Sequence, residues 1–295
     1  RFPGYKKKVN QRALEQYLAF QYSVLPETFF EGVFRLDPGH FLVYEDNEVK
    51  IRKYFTPNLH PEEMDDKEAE QRLEQVLTES FTRHLVSDVE IGSFLSGGID
   101  SNYLAAGLGK AQTFTVGFGG EDNWYSEICH AEELKKKYPL KCHTKVISKE
   151  EFWNAVPKIA YYLDEPSGDA SAVALYFAAK EASKHVKVVL SGEGADEFFG
   201  GYNIYREPDA LKWVNWIPLK IRRKIADKAK KLPDIKGKNY LIRAGLPVEE
   251  RYIGNAHIFY PEEIEELLKA NKNIKHSREL LKKQYEAAKN LKTME

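Results

Sequence analysis

Apolar residues along this chain change their spacing several times, and each change predicts an element. Val9 to Tyr22 has helical periodicity, with Leu14, Tyr17, Leu18 and Gln21 on one face. Pro26, Gly32, Pro38 and Gly39 punctuate the next stretch. Phe41-Leu42-Val43-Tyr44, the turn Glu45-Asp46-Asn47 and Val49-Lys50-Ile51 then predict a β-hairpin, closed by Tyr54-Phe55-Thr56-Pro57. Asp65 to Leu85 is predicted as a helix. Leu73, Val76, Leu77, Phe81 and Leu85 form its expected buried stripe, acids crowd its first half, and Arg83 and His84 sit near its end to suit the helix dipole.

From Val89 onward, short apolar runs alternate with helix-compatible segments. Strands are expected at Val89–Leu95, Thr113–Phe118, Lys141–Ile147 and Val186–Leu190, and helices at Asn102–Gly109, Glu127–Lys137, Lys149–Tyr162 and about Ala170–Lys184. Strands separated by helices imply an α/β fold with a doubly wound, mainly parallel sheet and flanking helices. The β-branched run Val186–Leu190 fits a strand buried on both faces. Residues 203–295 form a helical C-terminal part, broken by Pro208, Pro218, Pro233, Pro247 and Pro261. The expected organisation is a lead-in segment over 1–60 that carries the hairpin, followed by one larger domain over 61–295.

Composition removes several function classes. Lys+Arg 44 against Asp+Glu 45 gives no basic excess for nucleic acid and no acidic excess for disorder. The basic run Lys220, Arg222, Arg223, Lys224, Lys228, Lys230 and Lys231 is read as a solvated helix face, since only Trp213 and Trp216 lie near it as aromatics. No apolar run is long enough for a bilayer, so no membrane partner is expected. Cys129 and Cys142 make no disulfide framework, and a cytoplasmic location is therefore expected. The start Arg-Phe-Pro-Gly and the charged end at Met294-Glu295 suggest a piece of a longer protein.

Two stretches carry candidate chemistry. In Ser96-Gly97-Gly98-Ile99-Asp100-Ser101, an apolar strand ends at paired glycines and a helix begins. Backbone N–H groups and the hydroxyls of Ser96 and Ser101 suit a pyrophosphate, and the helix adds its positive end. Asp100 repels phosphate unless it holds Mg²⁺. The alternative is a plain strand–helix turn. The second stretch, Ser191-Gly192-Glu193-Gly194-Ala195-Asp196-Glu197-Phe198-Phe199-Gly200-Gly201-Tyr202, sets three carboxylates among four glycines after a strand. Clustered acids repel one another, so a cation partner is expected, and Asp100 and Asp196 could share one Mg²⁺. Weaker candidates are Cys142-His143, expected as a packed strand end, and His84, His130 and His185, expected at the surface or satisfied. Tyr161-Tyr162 and Phe198-Phe199 are expected in the core.

Ser96–Ser101 resembles the pyrophosphate loop of the N-type ATP pyrophosphatases, and Ser191–Tyr202 resembles the second signature of the glutamine-hydrolysing asparagine synthetases. Leu36-Asp37-Pro38-Gly39-His40, Thr113–Phe118 and Asp164-Glu165-Pro166-Ser167-Gly168-Asp169 extend the likeness over nearly the whole chain. The resemblance implies an adenine nucleotide alpha hydrolase-like fold and an ATP- and Mg²⁺-dependent reaction. The aspartate side-chain carboxylate attacks the α-phosphate, pyrophosphate leaves, and ammonia displaces AMP. On that resemblance Leu95 and Val116 flank the adenine, Ser96, Gly97, Gly98 and Ser101 hold the pyrophosphate, and Ser191 and Gly192 contact the nucleotide. Asp100 and Asp196 bind the metal, and Glu193, with Asp196 beside it, carries the catalysis by taking a proton from ammonium. β-Lactam-forming relatives have Tyr at the position of Glu193, so Glu favours asparagine synthesis over ring closure.

The resemblance also gives Ser126-Glu127 a place the family often fills with Asp-Glu or Ser-Glu, read first as a helix cap, and leaves Asp164, Glu165 and Asp169 either lining the site or capping a helix. The family's glutaminase domain begins with a catalytic Cys, whereas residue 1 is Arg. A later Lys that contacts phosphate and a Pro-Phe-Leu-Asp stretch do not occur before Glu295. The expected partners are aspartate, ammonia, the glutaminase domain of a parent chain and a second copy in a homodimer, and the fragment alone is expected to be weak or inactive. The alternatives are an adenylating amide or lactam synthetase for another small carboxylic acid, or a non-catalytic nucleotide-binding relative.

Overall fold

The computed structural model describes residues 3–57, 62–119, 127–233, 235–255, 258–259, 261–268 and 277–287. The chain forms two compact units, one from residues 1–61 with 200–295 and one from 62–199. Among the described residues no helix is long and apolar enough to cross a membrane.

The first unit opens with helix α1 (Gln11–Phe20), whose N-cap Asn10 accepts hydrogen bonds from the N–H groups of Arg12 and Ala13. Strands β1 (His40–Glu45) and β2 (Glu48–Lys53) form the expected hairpin in antiparallel register, Leu42 opposite Ile51 and Tyr44 opposite Val49. Asp46 and Asn47 both adopt left-handed backbone (φ 52° and 61°), the conformation of a two-residue hairpin turn.

The second unit contains α2 (Asp66–His84), β3 (Ile91–Phe94), α3 (Ile99–Leu108), β4 (Gln112–Phe118), α4 (Ile128–Lys137), β5 (Lys141–Ile147), α5 (Lys149–Leu163), α6 (Ser171–Ala182), β6 (Val188–Leu190) and the one-turn α7 (Ala195–Phe199). The sheet is parallel in the order β5-β4-β3-β6. Apolar clusters cover its two faces. Val116, Ile147, Ala155, Ile159, Val173 and Phe177 gather under α5 and α6, whereas Leu95, Ala105, Ala111, Ala131 and Leu140 gather under α3 and α4. Helices on both faces of a parallel sheet make the doubly wound α/β fold. Local chemistry fixes the helix ends: Ser148 and Glu151 form a reciprocal capping box at the start of α5.

Three expectations fail here. The stripe on α2 is not buried: Leu73 and Val76 are exposed, Val76 to 62%, and Leu77, Phe81 and Leu85 are half-buried. The Phe81 ring lies against Gly107 of α3. The last strand is shorter than Val186–Leu190 and is not buried on both faces, because β6 is an edge strand whose one neighbour is β3, leaving Val188 38% exposed. Tyr161, Tyr162, Phe198 and Phe199 are exposed rather than in the core. The two tyrosines lie past the buried Ala155 and Ile159 of α5, and the two phenylalanines lie on a single helical turn beyond the sheet.

The first unit resumes after Phe199 with α8 (Glu207–Ala210), α9 (Leu219–Lys230), α10 (Lys238–Ala244), α11 (Val248–Arg251), α12 (Pro261–Leu268) and α13 (Ser277–Ala287). Prolines mark the helix starts, as Pro218 and Pro247 occupy the N-caps of α9 and α11. Glu207 bridges Arg243 and Arg251. Ala19 and Phe20 of α1 share a core with Ile253 and with Ile264 of α12. The basic run lies on α9, where Ala226 and Ala229 form the buried side, Arg223 pairs with Glu250 at 2.7 Å, and Arg222 donates to the carbonyl of Ala244.

Candidate active site

The chain lays down β3, β4 and β5 in one direction across the sheet, then returns to place β6 on the other side of β3. That reversal makes a crevice at the carboxyl ends of β3 and β6, where ligands bind in sheets of this kind. Both glycine-rich stretches emerge into it.

After β3, Leu95 still donates its N–H to the carbonyl of Phe114 (3.0 Å), and its side chain is buried at 1% exposure. The chain then turns through Ser96, Gly97 and Gly98 into α3. The Ser101 hydroxyl closes this turn: it accepts from the Ser96 N–H (3.1 Å), lies 3.0 Å from Ser96 Oγ and donates to the Gly98 carbonyl (3.1 Å). Ser101 is therefore engaged inside the loop, and the peptide N–H groups that begin α3 are the donors that face outward. Gly97 has φ 79°, a backbone state that a side chain disfavours.

After β6 the chain passes Ser191 to Gly194 and enters α7. A Cβ placed on Gly192 would stand 3.0 Å from Asp100 Cβ and 3.6 Å from the Ser101 nitrogen. The two loops thus touch where Gly192 has no side chain. Ser191 Oγ donates to Glu193 Oε1 at 3.4 Å, Glu193 is exposed, and Asp196 is half-buried in the first turn of α7. Among the described residues neither Asp100 nor Asp196 takes part in an ion pair, and no three His, Cys, Asp or Glu side chains form a metal cage. Two carboxylates without a cage suit Mg²⁺, which binds through one or two carboxylates together with phosphate oxygens. The donor set fits that ion.

Leu95 and Val116 do not meet as side chains, for they pack into clusters on opposite faces of the sheet. Nor does Val116 end its strand: it is the fifth of the 7 residues of β4. What it offers is its peptide. The Phe114 carbonyl points to β3, and the two-residue period turns the Val116 peptide to the same side, past the last residue of β3.

Two further residues belong to this end of the sheet. Asn102 Nδ2 donates to the Gly97 carbonyl (3.3 Å), and its Oδ1 is buried without a partner. His130, in the first turn of α4, covers Gly97, so that a Cβ there would fall 2.6 Å from His130 Cβ and 3.0 Å from Cδ2. Burial holds the neighbouring Glu127 carboxyl above its ordinary range, and His130 draws it partly back. Glu127 makes no side-chain cap on α4, and Ser126 lies outside the described residues. The signal for His130 was available: it stands early in a helix that follows a strand, at the same end as the two loops.

The other candidates have structural roles. Asp169 caps α6 by accepting from the Ser171 N–H at 2.8 Å, Asp164 ends α5 in left-handed backbone (φ 59°), and Glu165 is half-buried. Cys142 Sγ accepts from Thr113 Oγ1, and His84 Nδ1 lies 2.7 Å from the Ser80 carbonyl. His143 sits within β5, stacks on Phe114 and packs at a tilt against His185, which lies beyond the end of α6.

Residues 72–294 match the family model described as Asparagine synthase, and residues 1–55 match that of a Glutamine amidotransferase domain. An asparagine synthetase (glutamine-hydrolyzing) of Bacillus subtilis is 40% identical over 268 residues, covering 89% of this chain and 42% of the relative. A putative asparagine synthetase (glutamine-hydrolyzing) of Mycobacterium tuberculosis is 41% identical over 275 residues, covering 90% and 42%. One of Methanocaldococcus jannaschii is 29% identical over 272 residues, covering 88% and 51%. This chain thus spans 42% of the length of the first two relatives. The crevice at the strand reversal and the length of the family match lead to the same conclusion: the chain belongs to the asparagine synthase family.

Proposed function

We propose that this chain carries the ATP-dependent part of an enzyme that amidates aspartate to asparagine through a β-aspartyl-AMP intermediate, releasing AMP and pyrophosphate. The observation that carries this reading is the contact of Gly192 with Asp100 and Ser101, which joins a pyrophosphate-type loop to an acidic loop in one crevice. In this reading the N–H groups at the start of α3 and the Ser96 hydroxyl bind the phosphate that departs, and the Val116 peptide and the Ser191–Gly192 backbone orient the nucleoside. Asp100 and Asp196 would hold Mg²⁺, which when bound offsets the charge of the phosphate oxygens. Glu193, exposed on the loop facing the crevice, accepts the proton that ammonium must lose before its nitrogen attacks the acyl group.

Glutamine is proposed as the nitrogen source, through a glutamine amidotransferase portion of the protein; the match over residues 1–55 and the names of the relatives support this. A cytoplasmic location is part of the same proposal, in keeping with two cysteines that form no disulfide. The test is an assay of the protein with aspartate, ATP, Mg²⁺ and ammonium. AMP and asparagine are expected in equal amounts. ADP as the product sinks the reading, because attack at the α-phosphate cannot yield it.

A further inference from the structure

The loop Ser96–Ser101 has hydroxyls, peptide N–H groups and one acid, but no Lys or Arg. The second loop adds Glu193, Asp196 and Glu197. Loops that bind nucleotide phosphates in other folds include a Lys that reaches the anion. Among the contacts described for this loop, His130 supplies the one side chain able to carry positive charge. It projects from the first turn of α4, and its Cβ, Cγ and Cδ2 line the space a side chain at Gly97 would fill.

We infer that His130 is a positioning residue for the departing pyrophosphate: it walls in Gly97 and sets a basic imidazole beside a loop whose own ionisable side chain is acidic. The inference rests on the proposed function, which supplies the pyrophosphate. The role differs from that of Ser101, which braces the loop from within.

The test compares the full-length protein with His130→Phe, which keeps a ring over Gly97 without charge, and His130→Lys, which keeps charge without the ring. Binding of sodium pyrophosphate in the presence of Mg²⁺ is measured by calorimetry, beside KM for ATP, KM for aspartate and the melting temperature. His130→Phe is expected to weaken pyrophosphate about three- to fivefold, the effect of one partly exposed ion pair, with KM for aspartate and melting temperature unchanged. His130→Lys is expected to bind pyrophosphate within about twofold of the wild type, since the charge is retained at similar cost in geometry. Wild-type pyrophosphate affinity in His130→Phe overturns the inference, as does a His130→Lys that behaves like His130→Phe, or a uniform rise in both KM values with a lower melting temperature. Wild-type protein that yields ADP overturns the proposed function itself, and AMP from the wild type with unaltered variants overturns only the role of His130.

Discussion

The two ends of the parallel sheet treat polar side chains in opposite ways. Toward the end where strands begin, they pair with one another. Gln112 donates to Glu90 (2.9 Å), His143 Nε2 lies 2.9 Å from Gln112 Oε1, His143 packs at a tilt against His185 with ring centres 3.9 Å apart, and His185 lies 3.6 Å from Glu181. At the end where strands finish, Asp100, Glu193 and Asp196 collect on adjacent loops, and Asp100 and Asp196 have no ion pair among the described residues. A polar group shut away from water is costly unless it is bonded, and like charges set close together repel. The first end is a solved packing problem. The second is left open to a cation and an anion from outside, which is why chemistry is assigned there.

Four measurements test this contrast. The largest effect is expected from Glu193→Gln, which removes the proposed proton acceptor: asparagine formation should fall about 10²- to 10⁴-fold, the usual contribution of a general base, with an unchanged melting temperature. A variant that turns over normally removes Glu193 from the reaction. Gly192→Ala places a Cβ 3.0 Å from Asp100 Cβ, so the loops must part by a few tenths of an ångström. A loss of about tenfold or more in kcat/KM for ATP is expected, since small misplacements of a reacting group are costly. At the other end, Gln112→Leu strips partners from both Glu90 and His143 and should cost about 1–3 kcal/mol in urea unfolding, with KM for ATP unchanged. A matching loss of ATP affinity there would show that the two ends are not independent.

The smallest effect concerns pH. Burial, then His185 and Lys141, hold the His143 imidazole below its ordinary value of 6.5, while Glu181 pulls it up. The folded state therefore takes up this proton less readily than the unfolded chain. Its contribution is complete above the ordinary imidazole value and is lost as pH falls below about 6.5. His143→Phe should flatten unfolding free energy against pH in that window. The separate acid loss from Glu181, whose carboxyl is depressed chiefly by its hydrogen bond to Lys184, begins lower, below its ordinary 4.5, and should persist in the variant.

Much of the second unit was legible in the residues themselves. The strand Lys141–Ile147 and the start of the helix at Lys149 coincide with β5 and α5, and the Ser148–Glu151 capping box that opens the helix acts locally. The glycine loops were legible for the same reason, since an abrupt end to an apolar run at Ser-Gly-Gly leaves few backbone choices. Burial was less legible. Leu73 and Val76 have the spacing of a core stripe, and Phe198 has the chemistry of a core residue at 87% exposure. Spacing shows which residues share a face, but only neighbours decide whether that face is covered.

The order of residues alone thus specified the strand–helix rhythm, the parallel α/β class and the two glycine-rich loops, because each depends on residues close together in the chain. Everything else required the folded chain. The place of β6 beside β3 depends on pairing between residues about a hundred positions apart, Ile91 with Val188. That pairing brings Gly192 against Asp100 and opens the crevice. The opposite facing of Leu95 and Val116, and the seat of His130 on Gly97, likewise result from how helices cover the two faces of the sheet. Contacts of this kind arise from long-range packing, which local periodicity does not encode.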